Sequence, residues 1–525
     1  MTKNILFRLA TIVLLFLSLP CALLAQNTET ATVRENNPMR NYLRPSISVF
    51  YIQRGNDYKI EQTIEQIKAL GISRKFDINQ TSSDVINIDD MESRLDTTQL
   101  KKFLEENFAR EIVSNWFPRF ISKKDGYSMD VIAERGMFSA TDADVITSRS
   151  SVRQEAMLKD AGLNLIDRSY ILIYDIKSIE TTKEGNWVAN SDIYIYKLDW
   201  SDEVSETFYQ QWGNPNAISE IHFPIELVAA VTNAKQLKGL VGTEMRTNTG
   251  VVTRTQAQDL AQQIYDNADV YAGQRVEDFK AKAPVYSINP ITSKLGEKEG
   301  VKPERRYFVY QLEADEQGDV TAKRKGVVRA SNKIAKNDTI ATGDSELTRF
   351  YQTQGGKIRE GMLMQENPDF GISIGGYVTY NEVGAYAEYN MSKLLSKYIG
   401  NIPILGAKVF IRGGYPFGQK QDADQQRLYL GIGAMKEFNF MRFLTVTPYL
   451  GYADAPEVKQ NGVVVQKELT GFIAGAKAGA NLSPSVNVFV MADFNSLKST
   501  ISKCYADSDT NISPFSLGVG FHIAF

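Results

Sequence analysis

The chain has 525 residues, 43% of them hydrophobic, with 59 lysine and arginine side chains against 62 acidic ones and a formal net charge of −3. This length allows two or three domains, and the charge balance indicates neither a nucleic acid nor an anionic membrane surface as a partner. Two histidines and two cysteines leave little material for a zinc or copper site. We therefore expect no cofactor.

Residues 1–25 are predicted to be a secretory signal peptide. Lys3 and Arg8 precede the apolar stretch Leu9–Leu24, and Ala25 followed by Gln26 gives an acceptable small-residue cleavage site. An N-terminal membrane helix is the alternative, but the apolar stretch is shorter than the roughly 20 residues that a spanning helix needs. The interpretation as a signal peptide implies that the mature chain is exported.

The cysteines and the hydropathy of the later segments limit the ways in which an exported chain could be cross-linked or attached to a membrane. Cys21 allows a lipoprotein anchor as an alternative, although the three residues before it form a poor lipobox. Cleavage after Ala25 would leave only Cys504, so the mature chain could form no internal disulfide. No later segment has 18 consecutive apolar residues, so the exported chain is either free or inserted as a β-barrel.

Residues 26–45 lack periodicity and are rich in polar side chains, which predicts a flexible leader. Residues 46–284 contain segments with the apolar spacing of helices and others with the apolar spacing of strands. This mixture predicts an α/β domain. The predicted strands are Ser46–Gln53, Ser169–Ile176, Trp187–Leu198 and Glu203–Trp212. The predicted helices are Tyr58–Ala69, one with the apolar face Leu100, Phe103, Leu104, Phe108 and Ile112, then Asp142–Asp160, Ile225–Gln236 and Thr255–Phe279.

The order of these elements resembles a known family. A strand, two helices and then the strand Tyr170–Ile176 with the pair Ile193–Leu198 and Thr207–Trp212 resemble the periplasmic α/β domains of the CsgG-like proteins of curli secretion. The resemblance rests on element order and not on a residue motif.

Residues 300–366 predict a small all-β domain. Tyr307–Glu313 and Val320–Val328 flank the acidic, glycine-containing segment Asp315–Asp319, which is typical of a hairpin. Thr348–Gln352 and Lys357–Gln365 add two short strands. Together they predict a small barrel or sandwich between the α/β domain and the C-terminal third of the chain.

Residues 370–525 contain eight runs of alternating apolar and polar residues, the pattern of strands with one face toward lipid and the other toward a lumen. The last run shows it best. One face carries Phe515, Leu517, Val519, Phe521, Ile523 and Phe525, and the other carries Ser516, Gly518, Gly520, His522 and Ala524. The predicted fold class is therefore an α+β periplasmic region followed by an eight-stranded antiparallel transmembrane β-barrel.

This C-terminal part resembles the small eight-stranded outer-membrane barrels of the OmpA and OmpX type from Gram-negative bacteria. The resemblance covers about 30% of the chain and rests on strand count, alternation and the aromatic-ended final run. It implies that Phe521 and Phe525 form the signal that the barrel-assembly machinery reads. It also implies contact with outer-membrane lipid.

Seven charged residues have the parity of the lumen face: Glu388, Lys408, Arg412, Arg427, Glu437, Lys477 and Asp493. An eight-stranded barrel has an interior that side chains can fill. We therefore expect these residues to form a plug of salt bridges and hydrogen bonds, and a narrow conduction path is the alternative.

One feature departs from small barrels. The first link is predicted to be a tight turn at Asn381-Glu382, and the second link, Ser392–Leu405, is long. Small barrels usually have short links at the periplasmic end and long loops outside. The lengths of these first two links are therefore predicted to be the reverse of the usual arrangement.

The sequence carries no P-loop, HExxH or CxxC motif, and we do not expect an enzyme. The predicted function is an interaction protein anchored in the outer membrane, with its N-terminal region docking an unidentified protein partner in the periplasm. A small pore and an enzyme with an unrecognised N-terminal catalytic domain are the alternatives.

Overall fold

A computed structural model describes residues 43–88, 97–119, 126–139, 162–183, 185–239, 243–247, 250–314, 320–337, 346–392, 404–416, 428–455, 458–460, 463–466, 469–498 and 513–525. Several predicted features lie outside these ranges: the signal peptide with Ala25 and Gln26, most of the leader, the helix Asp142–Asp160, Arg427 and Cys504. Three large sheets follow one another along the described chain.

The first sheet lies between two layers of helices. Its strands are β1 (Ser46–Arg54), β2 (Asp77–Ile78), β3 (Val85–Ile88), β4 (Ser169–Thr181), β5 (Trp187–Leu198) and β6 (Ile225–Gly239), and a separate hairpin consists of β7 (Thr243–Thr247) and β8 (Gly250–Arg254). The helices are α1 (Tyr58–Leu70), α2 (Thr97–Leu104), a π-helical turn (Glu105–Ala109), α3 (Arg110–Trp116), α4 (Asp130–Ser139), α5 (Asp202–Gln210), α6 (Ala217–Glu220) and α7 (Gln256–Arg275), followed by a 3₁₀ turn (Glu277–Phe279).

The strand order is β2-β1-β4-β5-β6, with β3 also paired to β1. Strand β1 is parallel to β2, β3 and β4, whereas β4, β5 and β6 form an antiparallel meander. Each face of the sheet has its own apolar core. Trp116, Phe117 and Phe208 belong to one core, and Ile64 and Leu260 belong to the other. Burial on both faces explains why these strands read as nearly continuous apolar runs.

Two predicted elements of this domain are wrong, and both errors have a physical cause. The segment predicted as strand Glu203–Trp212 is helix α5, because Asp202 and Glu203 lie in its first turn and Phe208 is fully buried on the core side. The segment predicted as helix Ile225–Gln236 is strand β6. Its neighbours Leu227 and Val228 pack into opposite cores, so the apolar run is continuous, and periodicity cannot distinguish such a strand from a buried helix.

The second sheet is antiparallel throughout. Its strands are β9 (Lys282–Pro284), β10 (Ser287–Ile288), β11 (Ile291–Ser293), β12 (Arg306–Ala314), β13 (Val320–Ala330), β14 (Thr348–Gly355) and β15 (Leu363–Glu366), in the order β10-β11-β14-β13-β12-β15-β9. The predicted hairpin is present as β12 and β13. The sheet begins at Lys282, before residue 300, because β9 pairs with β15. Tyr307, Val328 and Met364 belong to its core.

The third sheet is a closed barrel of eight antiparallel strands, as predicted. They are β16 (Ile372–Thr379), β17 (Glu382–Asn390), β18 (Ala407–Pro416), β19 (Tyr429–Lys436), β21 (Leu444–Ala455), β24 (Leu469–Asn481), β25 (Val486–Asn495) and β26 (Phe515–Ala524). Strand β20 (Phe438–Phe440) pairs only with β21, and β22 (Val458–Gln460) and β23 (Val463–Gln466) form a separate hairpin. Pairing of β26 with β16 closes the cylinder, so none of the eight strands is left as a sheet edge.

Candidate functional site

The outer and inner faces of the barrel differ in exposure and in chemistry. On β25, Val488 and Val490 are 39% and 58% exposed, whereas Asn487 and Asp493 are both 3% exposed. The same alternation recurs on β19 and β21. The apolar residues therefore face outward and the polar residues face the lumen.

One group of lumen charges lies near the end of the barrel where β16 begins and β26 ends; we name this end the lower end. The lower ion cluster consists of Glu388, Lys408, Glu437 and Lys477. Glu388 contacts both Lys477 and Lys408, the latter at 3.4 Å, and Lys408 also contacts Glu437. These are four of the seven predicted residues. The nearby His522 Nδ1 lies 3.3 Å from the hydroxyl of Tyr386.

A second group lies toward the opposite, upper end. The upper ion cluster consists of Glu382, Arg412, Asp493 and Lys498, all 4% exposed or less in their side chains. Arg412 forms a two-point ion pair with Asp493 and contacts Glu382 at 3.2 Å. Lys498 contacts Glu382 as well. Arg412 and Asp493 are among the predicted lumen residues, whereas Glu382 and Lys498 are not.

Tyrosine hydroxyls complete the upper ion cluster. Tyr377 and Tyr429 donate to Glu382, and Tyr449 donates to Asp493 Oδ1 at 2.8 Å. Hydrogen bonds of this kind, together with paired charges, offset the cost of removing a carboxylate from water. The two clusters together provide four cations and four carboxylates, so the charges within them balance.

The assignment of Glu382 to a turn was wrong. The loop consists of Tyr380 and Asn381 alone, because Thr379 pairs with Glu382 across a two-residue hairpin. Glu382 is therefore the first residue of β17, and it shares the inward face with Tyr386 and Glu388, a parity that the sequence does show. Lys498 lies in the segment after β25, where no periodicity could have identified it.

The two ion clusters are separated by a layer of large side chains. Phe410, Tyr386, Met435, Phe489 and Met491 are buried there, and the cavity that they line has a volume of only about 30 Å³. A cavity of this volume has room for no more than about two or three water molecules. Side chains therefore fill most of this layer of the lumen.

The second sheet covers part of the lower end of the barrel. Glu304 Oε1 accepts the backbone N–H of Gly406 at 2.8 Å, and Asn390 Nδ2 donates to the other carboxylate oxygen at 3.4 Å. On the other side of the rim, Asn481 Nδ2 donates to the Thr353 carbonyl at 2.9 Å. Asn390 and Gly406, on either side of the predicted long link after β17, therefore lie at the end of the barrel that the second sheet contacts.

The chain between the second sheet and the barrel is fixed by charges. Asp369 accepts from Arg329 and lies 3.6 Å from Arg306 Nη1, and it is 3% exposed. The next residue, Phe370, donates its backbone N–H to the carbonyl of Phe525 at 2.9 Å. Its ring packs against Tyr271 of α7, with the centroids 5.0 Å apart. The start of the barrel, its last residue and the first domain thus meet at one point.

A buried ion cluster also joins the first domain to the second. Asp269 of α7 contacts Lys75 at 3.2 Å, Arg305 at 3.0 Å and Lys302 at 3.4 Å, and Arg305 also contacts Glu366. Burial alone would raise the pKa of Asp269, but the three cations hold that pKa well below its usual range. Asp269 is therefore ionised at neutral pH, and the three described sheets are connected by specific contacts.

The outer surface of the barrel is a band of exposed apolar side chains bounded by aromatic residues. Exposed aliphatic residues include Ile411, Leu430, Ile432, Leu450, Val490, Leu517 and Val519. Exposed aromatic residues near the upper end are Tyr380, Tyr452, Phe472 and Phe515, and those near the lower end are Tyr389, Phe438, Phe440 and Phe443. Phe521 is 47% exposed on the outward face of β26.

Within the residues that the structure describes, no helix is both long and apolar enough to cross a membrane. The same residues contain no group of three or more His, Cys, Asp or Glu side chains that could hold a metal ion.

Comparisons with known proteins give little further information. No family model matches the chain, and no curated protein matches it. One solved structure that matches is the N-terminal β-barrel domain of OprF from Pseudomonas aeruginosa, with 11% identity over 29% of this chain and 95% of that domain, at a TM-score of 0.19. The resemblance of the first domain to CsgG-like proteins finds no support in these comparisons.

Proposed function

We propose that this chain is a structural protein of the outer membrane, in which the barrel is the anchor and the N-terminal region is held in the periplasm to dock a protein partner. The observation that carries the proposal is the distribution of side chains in the barrel. The outward side chains are apolar and exposed, and the inward side chains are buried and carry balanced charges. In hydrocarbon every backbone N–H and C=O needs an internal partner, which a closed sheet provides without long apolar runs. Aromatic residues at both ends of the apolar band match the two membrane interfaces.

The connection between the barrel and the soluble domains supports the second half of the proposal. Asp369, Glu304 and the Asp269 cluster fix the soluble domains to the lower end of the barrel. Such contacts would hold a docked partner at a fixed position relative to the membrane. We place this end of the barrel in the periplasm.

Proteolysis of intact cells tests the proposed topology. We expect an external protease to leave the N-terminal region intact, and to digest it once the outer membrane has been permeabilised. A tag in the segment 499–512, which connects β25 to β26 in the sequence, serves as the matched control and should be accessible in intact cells. Digestion of the N-terminal region from outside would refute the periplasmic placement.

The packed lumen argues against a pore. Conductance of the purified full chain in planar bilayers should remain at the background level, because the layer between the two ion clusters leaves only about 30 Å³. Stable single-channel steps would favour transport instead.

No observation favours an enzyme. A cavity of about 800 Å³ in the first domain is lined by Asp167, Lys197, Trp200 and Tyr209 among others. We propose a docking role for this region rather than an enzymatic one. Cross-linking in cells followed by affinity capture of the full chain is the direct route to the periplasmic partner.

A further inference from the structure

The turn between β19 and β21 carries an unusual group of exposed apolar side chains. Phe438, Phe440, Met441 and Phe443 are 44%, 51%, 82% and 45% exposed. The turn lies at the lower end of the barrel, where the contacts described above between the second sheet and the rim involve the ends of other strands. This group therefore projects from a part of the rim beside the soluble domains.

The turn continues the apolar outer surface of the barrel. Phe440 pairs with Leu444 and Phe438 pairs with Val446. The two rings of β20 therefore lie on the outward face of the barrel, beside these two residues of β21. Leu444 and Val446 line an apolar hollow of about 1000 Å³ whose other walls include Val490. Since these lining side chains are exposed and the lumen is buried, the hollow lies on the outside of the barrel. One apolar surface thus runs from the middle of the barrel to the turn.

Two cations accompany these rings. Lys436 Nζ lies 5.4 Å from the centroid of the Phe438 ring and contacts the Leu405 carbonyl. Arg442, inside the turn, is exposed, and it forms no ion pair with any residue that the structure describes. An exposed guanidinium flanked by Met441 and Phe443 has the chemistry that a phosphate group at the edge of a bilayer requires.

We propose that the turn Phe438–Phe443 binds phospholipid headgroups of the inner leaflet, with its rings in the interfacial zone and Arg442 on a lipid phosphate. The proposal rests on the membrane anchorage proposed above. Aromatic rings are favoured at this depth, and a long cationic side chain reaches the headgroups from an apolar base. The contact fixes the depth of the barrel in the bilayer. Through the connection at Asp369 it also fixes the distance of the soluble domains from the membrane.

Depth-dependent quenching of an introduced tryptophan tests the proposal. The four native tryptophans all lie in the first domain, so a tryptophan in the barrel is visible as a difference from the wild-type spectrum. The full chain carrying Phe440→Trp is reconstituted in phosphatidylglycerol–phosphatidylethanolamine vesicles that contain lipid brominated either near the headgroup or near the chain end. Val490→Trp, in the apolar band, and Tyr286→Trp, exposed on the second domain, are the matched controls.

We expect Phe440→Trp to be quenched most by the shallow bromine, Val490→Trp most by the deep bromine, and Tyr286→Trp by neither. Quenching of Val490→Trp without quenching of Phe440→Trp would overturn the inference and leave the membrane anchor intact. Cross-linking of the turn to a second copy of the chain would also overturn the inference without affecting the membrane anchor. If neither were quenched, the membrane anchorage itself would fail.

The role of Arg442 is tested by lipid selectivity. Spin-labelled phosphatidylglycerol should associate with the wild-type chain more strongly than spin-labelled phosphatidylcholine, and Arg442→Gln should reduce this preference by up to about fivefold. Arg442→Lys should retain most of the preference, because the charge remains. Arg359→Gln, at an exposed arginine of the second domain, is the control and should change nothing. An unchanged preference in Arg442→Gln would rule out the phosphate contact.

Discussion

Arg412 and Asp493 form a two-point ion pair inside the barrel, with 3.0 Å between Nη1 and Oδ1 and 2.9 Å between Nη2 and Oδ2. Their side chains are 4% and 0% exposed. A buried pair of this kind adds little net stability over apolar residues of similar volume, but the loss of one partner leaves the other charge buried and unpaired. This asymmetry gives the first prediction.

Arg412→Met should destabilise the barrel by about 3–5 kcal/mol, because Asp493 and Glu382 then share only Lys498. The midpoint of urea unfolding in lipid vesicles, followed by the gel mobility of the folded chain, measures the effect. Lys102→Met is the control. Lys102 forms an exposed pair with Glu106 at 3.9 Å, and its loss should cost no more than about 1 kcal/mol.

The double variant Arg412→Met/Asp493→Leu should be more stable than Arg412→Met alone. Removal of both partners leaves Glu382 with Lys498, so the charges again balance. A double variant less stable than the single one would show that the upper ion cluster does not act through its charge balance.

Asp269→Asn should weaken the junction between the first two domains in a pH-dependent manner. The pKa of Asp269 is held well below its usual range, so its stabilising effect is fully present above its unfolded pKa of about 3.9 and is lost as the pH falls toward the folded pKa. The difference in unfolding free energy between wild type and variant should be constant near neutral pH and shrink below about pH 4. Urea titrations followed by native tryptophan fluorescence measure it; a difference that grows on acidification would contradict this assignment.

Asp369→Asn should loosen the connection between the second sheet and the barrel. Arg329 and Arg306 both lose a charged partner, at a cost of about 1–3 kcal/mol. Hydrogen exchange in the peptide that spans residues 367–372 should become faster, while exchange in β25 should stay unchanged. Glu360→Gln, at an exposed position of the same domain, is expected to leave both rates as they are. Unchanged exchange at residues 367–372 would mean that the ion pairs do not hold this segment.

Phe525→Ala separates the predicted signalling role of this residue from a structural one. The backbone of Phe525 bonds to Phe370 and Ile372, and these hydrogen bonds do not need the ring. We therefore expect the variant to fold normally in detergent but to reach the outer membrane in smaller amounts, as a role in recognition by the assembly machinery requires. Phe515→Ala, at an exposed ring on the same face of β26, is the control. Equal amounts of both variants in the membrane would refute the role of Phe525.

The barrel could be predicted because each of its strands has one exposed face and one buried face, which gives a local pattern. Parity alone placed Lys477 and Glu388 in the lumen, and they contact each other. Parity fails where a strand is buried on both faces, as in β6, and where a charge lies in a segment without periodicity, as with Lys498.

The contacts between domains could not be read from the sequence. Asp369 contacts Arg306 and Arg329, and Asp269 contacts Lys75 and Arg305, but each of these residues looks like an ordinary surface charge in its own segment. Their roles depend on how separately folded units meet. No local pattern encodes that arrangement.

The most direct test of the account is whether the outside of the barrel touches lipid. Spin labels placed singly at Val488, Val490 and Ala492 of β25, and at Tyr286 as an aqueous reference, can be examined in vesicles for collisions with oxygen and with a water-soluble nickel complex. We predict that the three labels on β25 collide with oxygen and are shielded from nickel, while the label at residue 286 collides readily with nickel. Equal access of nickel to all four labels would contradict the account.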